Sequence, residues 1–557
     1  MLSKRLLIAT LAVSQLGAAS AQLAPPEAVE TAPLARDAFS TGTLTPATGA
    51  LPSDLWRNAQ PSTLEFLLEN APSRPATPAI GEAMRRTLLS PGAGPDTASG
   101  ALGGKKLLAL ARAGFLEEAA TIASLSNAGR GDPWTGRAEA VRDLLRGDAL
   151  NACRRGDRLT NGREDPFWVK LRVLCYAVAD ERDAADLSLG ILRDQYGISP
   201  EDDLYLTAIA TGAAPDAPPP AATPLQYAIA RALELPATPE MLNEADGGVL
   251  IAIVNDEAAA IPARVSAAQR AVAMGVLDPA QLSSLMERFA FDVAAIGAAA
   301  DAARDRPGDP STDAVLFQSV KEMTAPEFLR DKAQRIALAL SLGDSFHRAY
   351  ALSVLYADEI AALEGAIVAP SEAAQFAEAR MAVGDSVGAG GWLAAMTGPG
   401  AGVGALPEGE AMAFVELVNL LAMLDPQTAS QIARAADVSL LSGVDPRIAV
   451  DRGGDPVVAA HILEAAFDAA LEEKVGQAGL AALAASGAGN GPGNTVIVSQ
   501  SLKAAGMADL QRRFEFEQAW AARFPAPEGD MNIDSGETAQ TAEERGFAPR
   551  LKPQPGQ

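Results

Sequence analysis

Stretch after stretch of this chain repeats one pattern. Ala and Leu recur at spacings of three and four, a Gly or an acidic residue interrupts, and the pattern resumes. Residues 107–123, LLALARAGFLEEAATIA, show it most clearly. Gly114 permits a turn, Glu117 and Glu118 fall in the first turn of a second helix, where the helix dipole favours acids, and Ala119 and Ala120 allow close packing. Comparable breaks stand at Asp180, Gly275, Gly343 and Gly506. The dipeptides Asp132-Pro133, Asp165-Pro166, Asp278-Pro279, Asp309-Pro310, Asp425-Pro426, Asp445-Pro446 and Asp455-Pro456 mark helix starts. Asp at the N-cap accepts orphan backbone N–H groups, and Pro at the first helical position lacks the N–H that would go unused there. With aromatic residues at only 5% and Ala at about a fifth of the chain, the core must come from close helix–helix contacts. The expected class is all-α. Residues 249–254 (VLIAIV) and 495–498 (TVIV) read equally as short strands or buried helix.

These A/L-x-x-x-G-x-x-x-x-A hairpins resemble those of tetratricopeptide-type α-solenoids over roughly 105–212 and 263–524. The Trp, Tyr and Pro positions of that repeat do not recur, so the resemblance carries an architecture and no binding residues. It implies a right-handed α-solenoid of antiparallel helix hairpins, each burying an Ala/Leu face against its neighbour and leaving a concave surface for a partner.

The first twenty-one residues combine Lys4-Arg5, the apolar run Leu6 to Leu16, and Ala19-Ser20-Ala21, the arrangement of a cleaved secretory signal. Arg far outnumbers Lys, in the style of a Gram-negative bacterium of high GC content, so the expected address is the periplasm. No later stretch approaches the roughly 20 uninterrupted apolar residues of a membrane-spanning helix, and an integral membrane segment is not expected. The regions then run as follows: signal peptide 1–21, disordered Pro/Ala/Thr-rich leader 22–53, N-terminal helical repeats 54–212, Pro-rich linker or loop 213–224, central helical region 225–397, Gly-rich loop 398–409, C-terminal helical region 410–524 and disordered tail 525–557.

Chemistry is sparse. Forty-five basic against seventy acidic side chains give a net charge of −25, the wrong sign for coating nucleic acid or anionic lipid. Two His and two Cys leave little for a metal site, and no cofactor loop is expected. Gly103-Gly104-Lys105-Lys106 lacks the earlier Gly and the Ser/Thr of a phosphate loop. Glu201-Asp202-Asp203 lacks calcium-loop spacing and reads as a helix start after Pro200. Cys153 and Cys175 read as a structural disulfide, favoured by an oxidising compartment and adding about 3 kcal/mol in the chain-entropy account, or as two buried small apolar residues. Gly384-Asp385-Ser386-Val387-Gly388 matches the nucleophile-elbow pattern, but a helical run precedes it where a strand is required. His347 lies upstream in the wrong order, and His461 sits on an apolar helix. A helical-ring lytic transglycosylase would carry a Glu-Ser dipeptide, which this chain lacks. Trp56, Trp134, Trp168, Trp392 and Trp520 are expected to be structural. The functional expectation is therefore a non-enzymatic adaptor or scaffold binding envelope proteins or peptides. A structural component of an envelope assembly is the alternative, and a serine hydrolase using Ser386 ranks lower.

Overall fold

The structure is a computed structural model that describes residues 37–95, 100–126, 132–216, 218–238, 240–398, 401–439, 456–489 and 492–524. The expected signal peptide, the leader as far as residue 36, and the tail 525–557 lie outside the described residues. Among the described residues there are 27 α-helices and no strand, so the protein is all-α. Residues 249–254 and 495–498 both fall within helices, Gly247–Asn255 and Pro492–Ala504.

The Asp-Pro dipeptides start helices as their chemistry dictates. Asp132 accepts from the Thr135 amide at 2.7 Å, Asp165 from Phe167 at 2.8 Å, Asp278 from Ala280 at 2.7 Å and Asp309 from Ser311 at 3.0 Å. Asp425 accepts from both Gln427 and Thr428, at 3.0 and 3.1 Å. Asp445 and Asp455 lie outside the described residues. The turn after Gly100–Ala113 needs the left-handed region, which Gly114 enters at φ +112°.

Neighbouring helices pack closely, as Gly100–Ala113 does on Pro133–Leu145 and Pro370–Ala382 on Ser386–Thr397. Small residues make this possible. Every residue from Gly476 to Ala485 in the helix Val475–Gly487 is buried, so this helix is enclosed on all sides.

Contacts are not confined to sequence neighbours. The early helices Pro61–Glu69 and Pro78–Leu89 pack on Val475–Gly487, and Pro78–Leu89 also packs on the last described helix, Ala508–Ala521. The Gly476 amide donates to the Leu55 carbonyl at 2.7 Å, and the buried Glu517 carboxylate accepts from the Ala79 amide at 2.9 Å. The first and last of the described helices therefore share one core.

Two segments differ from the sequence expectation. The leader was expected to be disordered to residue 53, yet packing begins much earlier. Phe39 is buried against Trp56 with ring centroids 4.7 Å apart, and the carbonyls of Phe39 and Thr41 accept from the Lys106 ammonium at 2.9 and 2.6 Å. With the Thr43 and Leu44 amides donating to the Leu89 carbonyl at 2.9 and 3.1 Å, these contacts anchor a stretch whose composition is that of a loop. The expected linker 213–224 is likewise held. The Tyr205 hydroxyl donates to Pro219 at 2.6 Å, and the Asp246 amide donates to Ala222 at 2.8 Å. Within the expected Gly-rich loop 398–409, a short 3-10 turn, Val403–Ala405, is tied to the Ala436 carbonyl at 3.1 Å, and the next helix begins at Glu408.

Candidate docking groove

The helix Ser386–Thr397 is where the sequence places its nucleophile-elbow motif. Asp385 caps the helix by accepting from the Gly388 amide at 3.0 Å, and is itself ion-paired with Arg380. Ser386 is the first helical residue. Its hydroxyl donates to the Asp425 carboxylate at 3.1 Å, and Asp425 is the N-cap of the helix Pro426–Ala435. The Thr428 hydroxyl, then the Thr428 amide, hold Asp425 below the usual carboxylate range. Ser386 thus joins two helix caps. Neither imidazole is among its hydrogen-bond partners: His461 stacks edge-on to Phe66 at 5.7 Å, and His347 lies beside Phe346 on the helix Phe346–Leu355. The helix Pro370–Ala382 precedes the motif in place of the strand an elbow requires.

The same helix forms one wall of an apolar groove of about 870 Å³. The segment 364–368 and the helices Glu408–Leu424 and Pro426–Ala435 complete it. Trp392 and Phe414 are buried in its floor, while Ile367 and Val387 stand 93% and 75% exposed at its edge. The exposed Gly391 has open space where a Cβ would project, so a visiting backbone can approach the helix closely. Glu364 is the sole charged residue of the lining among the described residues. Among the described residues the rest of the lining is apolar or small, with the Thr397 hydroxyl its other polar side chain. Such a surface can receive apolar side chains from a second helix or an extended segment.

Elsewhere, Cys153 and Cys175 are joined by a disulfide with Cα atoms 5.7 Å apart, tying Ala149–Arg158 to Pro166–Val178. Trp56, Trp168, Trp392 and Trp520 are buried, and Trp134 lies under the Lys105 ammonium at 5.0 Å and the Arg137 guanidinium at 5.7 Å. Gly103 to Lys106 lie inside the helix Gly100–Ala113, and Glu201 to Asp203 occupy the first turn of Pro200–Thr211. No group of His, Cys, Asp and Glu suited to a metal occurs among the described residues, and no described helix is long and apolar enough to cross a membrane. Sequence reasoning passed over Ile367 and Gly391. The signal was a run of small residues beside Trp392, which the nucleophile motif overshadowed. No protein-family model matches this chain, and neither a curated protein nor a solved structure matches it.

Proposed function

We propose that this protein is a periplasmic adaptor or scaffold, and that the groove beside Ser386–Thr397 takes up an apolar helix of another envelope protein. The helix pairs are read as solenoid-type hairpins whose stack supplies the groove walls. The observation that carries this reading is the exposure of Ile367 and Val387 over a floor of Trp392 and Phe414, with one carboxylate in the lining. Large apolar side chains left together in water are characteristic of partner surfaces. Ser386 belongs to the capping network in this reading and does no chemistry.

The test is crosslinking in the cell from a photoreactive residue placed at 367 or 387 in the exported protein, followed by peptide mapping. The expected result is one enriched envelope protein, joined through an apolar helical segment and lost in Gly391→Trp, whose indole fills the groove. Ser386→Ala leaves the capture unchanged. Crosslinks to further copies of this chain alone would replace the adaptor with a structural assembly, and capture insensitive to Gly391→Trp would remove the groove from the account.

A further inference from the structure

Acidic side chains outnumber basic ones by seventy to forty-five in this chain, so partners for arginine are plentiful. Several buried or half-buried arginines use them. Arg112 pairs with Asp246 at 3.1 Å, Arg348 with Asp313 at 2.7 Å and Arg513 with Glu517 at 2.9 Å. Arg74 and Arg270 depart from this habit. Neither is ion-paired among the described residues, and both converge on Asn243. Arg74 Nη1 donates to its main-chain oxygen at 3.3 Å, and Arg270 Nη2 donates to its Oδ1 at 2.7 Å. Each guanidinium carries five N–H donors, so most of both forks is uncommitted.

The position is a junction. Arg74 precedes the helix Pro78–Leu89, Arg270 lies on Ile261–Ala273, and that helix packs on Phe346–Leu355, which carries His347. Arg74 is exposed, while Arg270 and His347 are half-buried, so the groups are within reach of solutes but partly shielded from water. The three groups sense one another. Burial, then the charge of Arg74, lowers Arg270, and burial, then Arg270 and Arg74, pushes His347 down to about 4. His347 is therefore neutral at pH 7 and offers one N–H without adding charge.

We propose that Arg74, Arg270 and His347 form a binding site for a compact oxyanion, a phosphate or carboxylate group, at the junction between the first helices and the central ones. Two like-charged guanidinium forks held against one asparagine repel each other, and an anion between them turns that repulsion into charge-assisted hydrogen bonds. The same anion would tie the 74–77 segment to Ile261–Ala273 and Phe346–Leu355, so occupancy stiffens the contact between the two parts of the chain.

The test uses the full exported chain with inorganic phosphate and succinate as probes, each titrated against chloride at constant ionic strength by calorimetry and thermal melting. The expected result is saturable one-to-one binding of at least one probe. Arg74→Gln and Arg270→Gln each weaken it by about tenfold or more, as loss of a charge-assisted hydrogen bond to a desolvated anion does. His347→Gln, which keeps an N–H donor, retains more affinity than His347→Leu. Binding of phosphate alone assigns a phosphoryl ligand, and binding of succinate alone assigns a carboxylate one. Identical melting of the wild type in all three salts overturns the proposal, as does binding that persists in the Arg74→Gln/Arg270→Gln double variant. Should Arg270→Gln fail to fold, the exposed Arg74→Gln still decides the question.

Discussion

At the scale of single residues, the least expected feature is Lys106. Its side chain is fully buried, and its ammonium donates to two carbonyls of the segment before the first α-helix. Burial pushes it down to about 7 from an ordinary value of 10.5. Between those values the unfolded chain binds a proton that the folded chain does not, so the Lys106 contribution makes stability rise with pH from about 7 upward, with a limiting slope of about 1.4 kcal/mol per unit. Below about 7 both states are protonated and the contribution is flat. Lys106→Met removes this dependence and also leaves the Phe39 and Thr41 carbonyls without their donor. Urea unfolding at intervals from pH 7 to 9 is expected to show the gap between wild type and variant widening in favour of the wild type. A constant gap would mean that Lys106 stays charged in the fold. Work above pH 9 is confounded by tyrosines. Tyr205 and Tyr227 are pushed up to about 12 by burial, which introduces the opposite trend as unfolded tyrosines ionise. None of this was legible in the sequence, where Lys105-Lys106 stood out only as a failed phosphate loop. A lone buried cation is fixed by what the distant backbone brings to it.

At the scale of elements, legibility was high wherever a local rule sufficed. The Asp N-caps at 132, 165, 278, 309 and 425 and the turn at Gly114 depend on a few adjacent residues, and both were readable. Which glycines serve packing was not readable, because the answer depends on the facing helix. Gly81 and Gly391 show the difference, each lying inside a helix. A Cβ on Gly81 would stand 2.0 Å from the Met274 carbonyl oxygen, where Pro78–Leu89 crosses the end of Ile261–Ala273, whereas a Cβ on Gly391 meets nothing within 4 Å. Gly81→Ala is therefore expected to destabilise by at least the ~1–3 kcal/mol typical of overpacking. Gly391→Ala should stabilise by about 0.5–1 kcal/mol, because alanine is the better helix former and the site is open. Shifts of opposite sign in the urea midpoints of the two variants are the expected outcome. A loss of stability in Gly391→Ala would show that this face of Ser386–Thr397 is covered, and would count against the groove.

At the scale of the whole molecule, the repeating helical grammar was legible but its closure was not. Periodicity specifies an apolar face and says nothing about which face it meets hundreds of residues away. The helix Ala508–Ala521 makes the closure. Arg513 donates to the Tyr350 hydroxyl at 2.8 Å, the Trp520 indole N–H donates to Glu378 at 2.5 Å, and Glu517 accepts from the Ala79 amide at 2.9 Å while paired with Arg513. In an open stack each repeat is stabilised by its immediate neighbours, so damage at one end stays there. Here, Glu517→Ala leaves the Ala79 N–H and the half-buried Arg513 without their buried acceptor, a loss of about 3–5 kcal/mol for a broken buried pair. The expected consequence is faster amide hydrogen exchange in both 508–521 and 78–89, with the helix Arg182–Gln195, which packs mainly on Pro166–Val178 and Pro200–Thr211, unchanged. Glu517→Gln should give a smaller effect, since its amide oxygen still accepts from Ala79. Faster exchange confined to 508–521 would mean that the two ends are stable independently and that the shared core contributes little to holding them together. A concerted response instead makes Pro78–Leu89 and Ala508–Ala521 one cooperative unit, so that an anion bound near Arg74 is also felt in the last of the described helices.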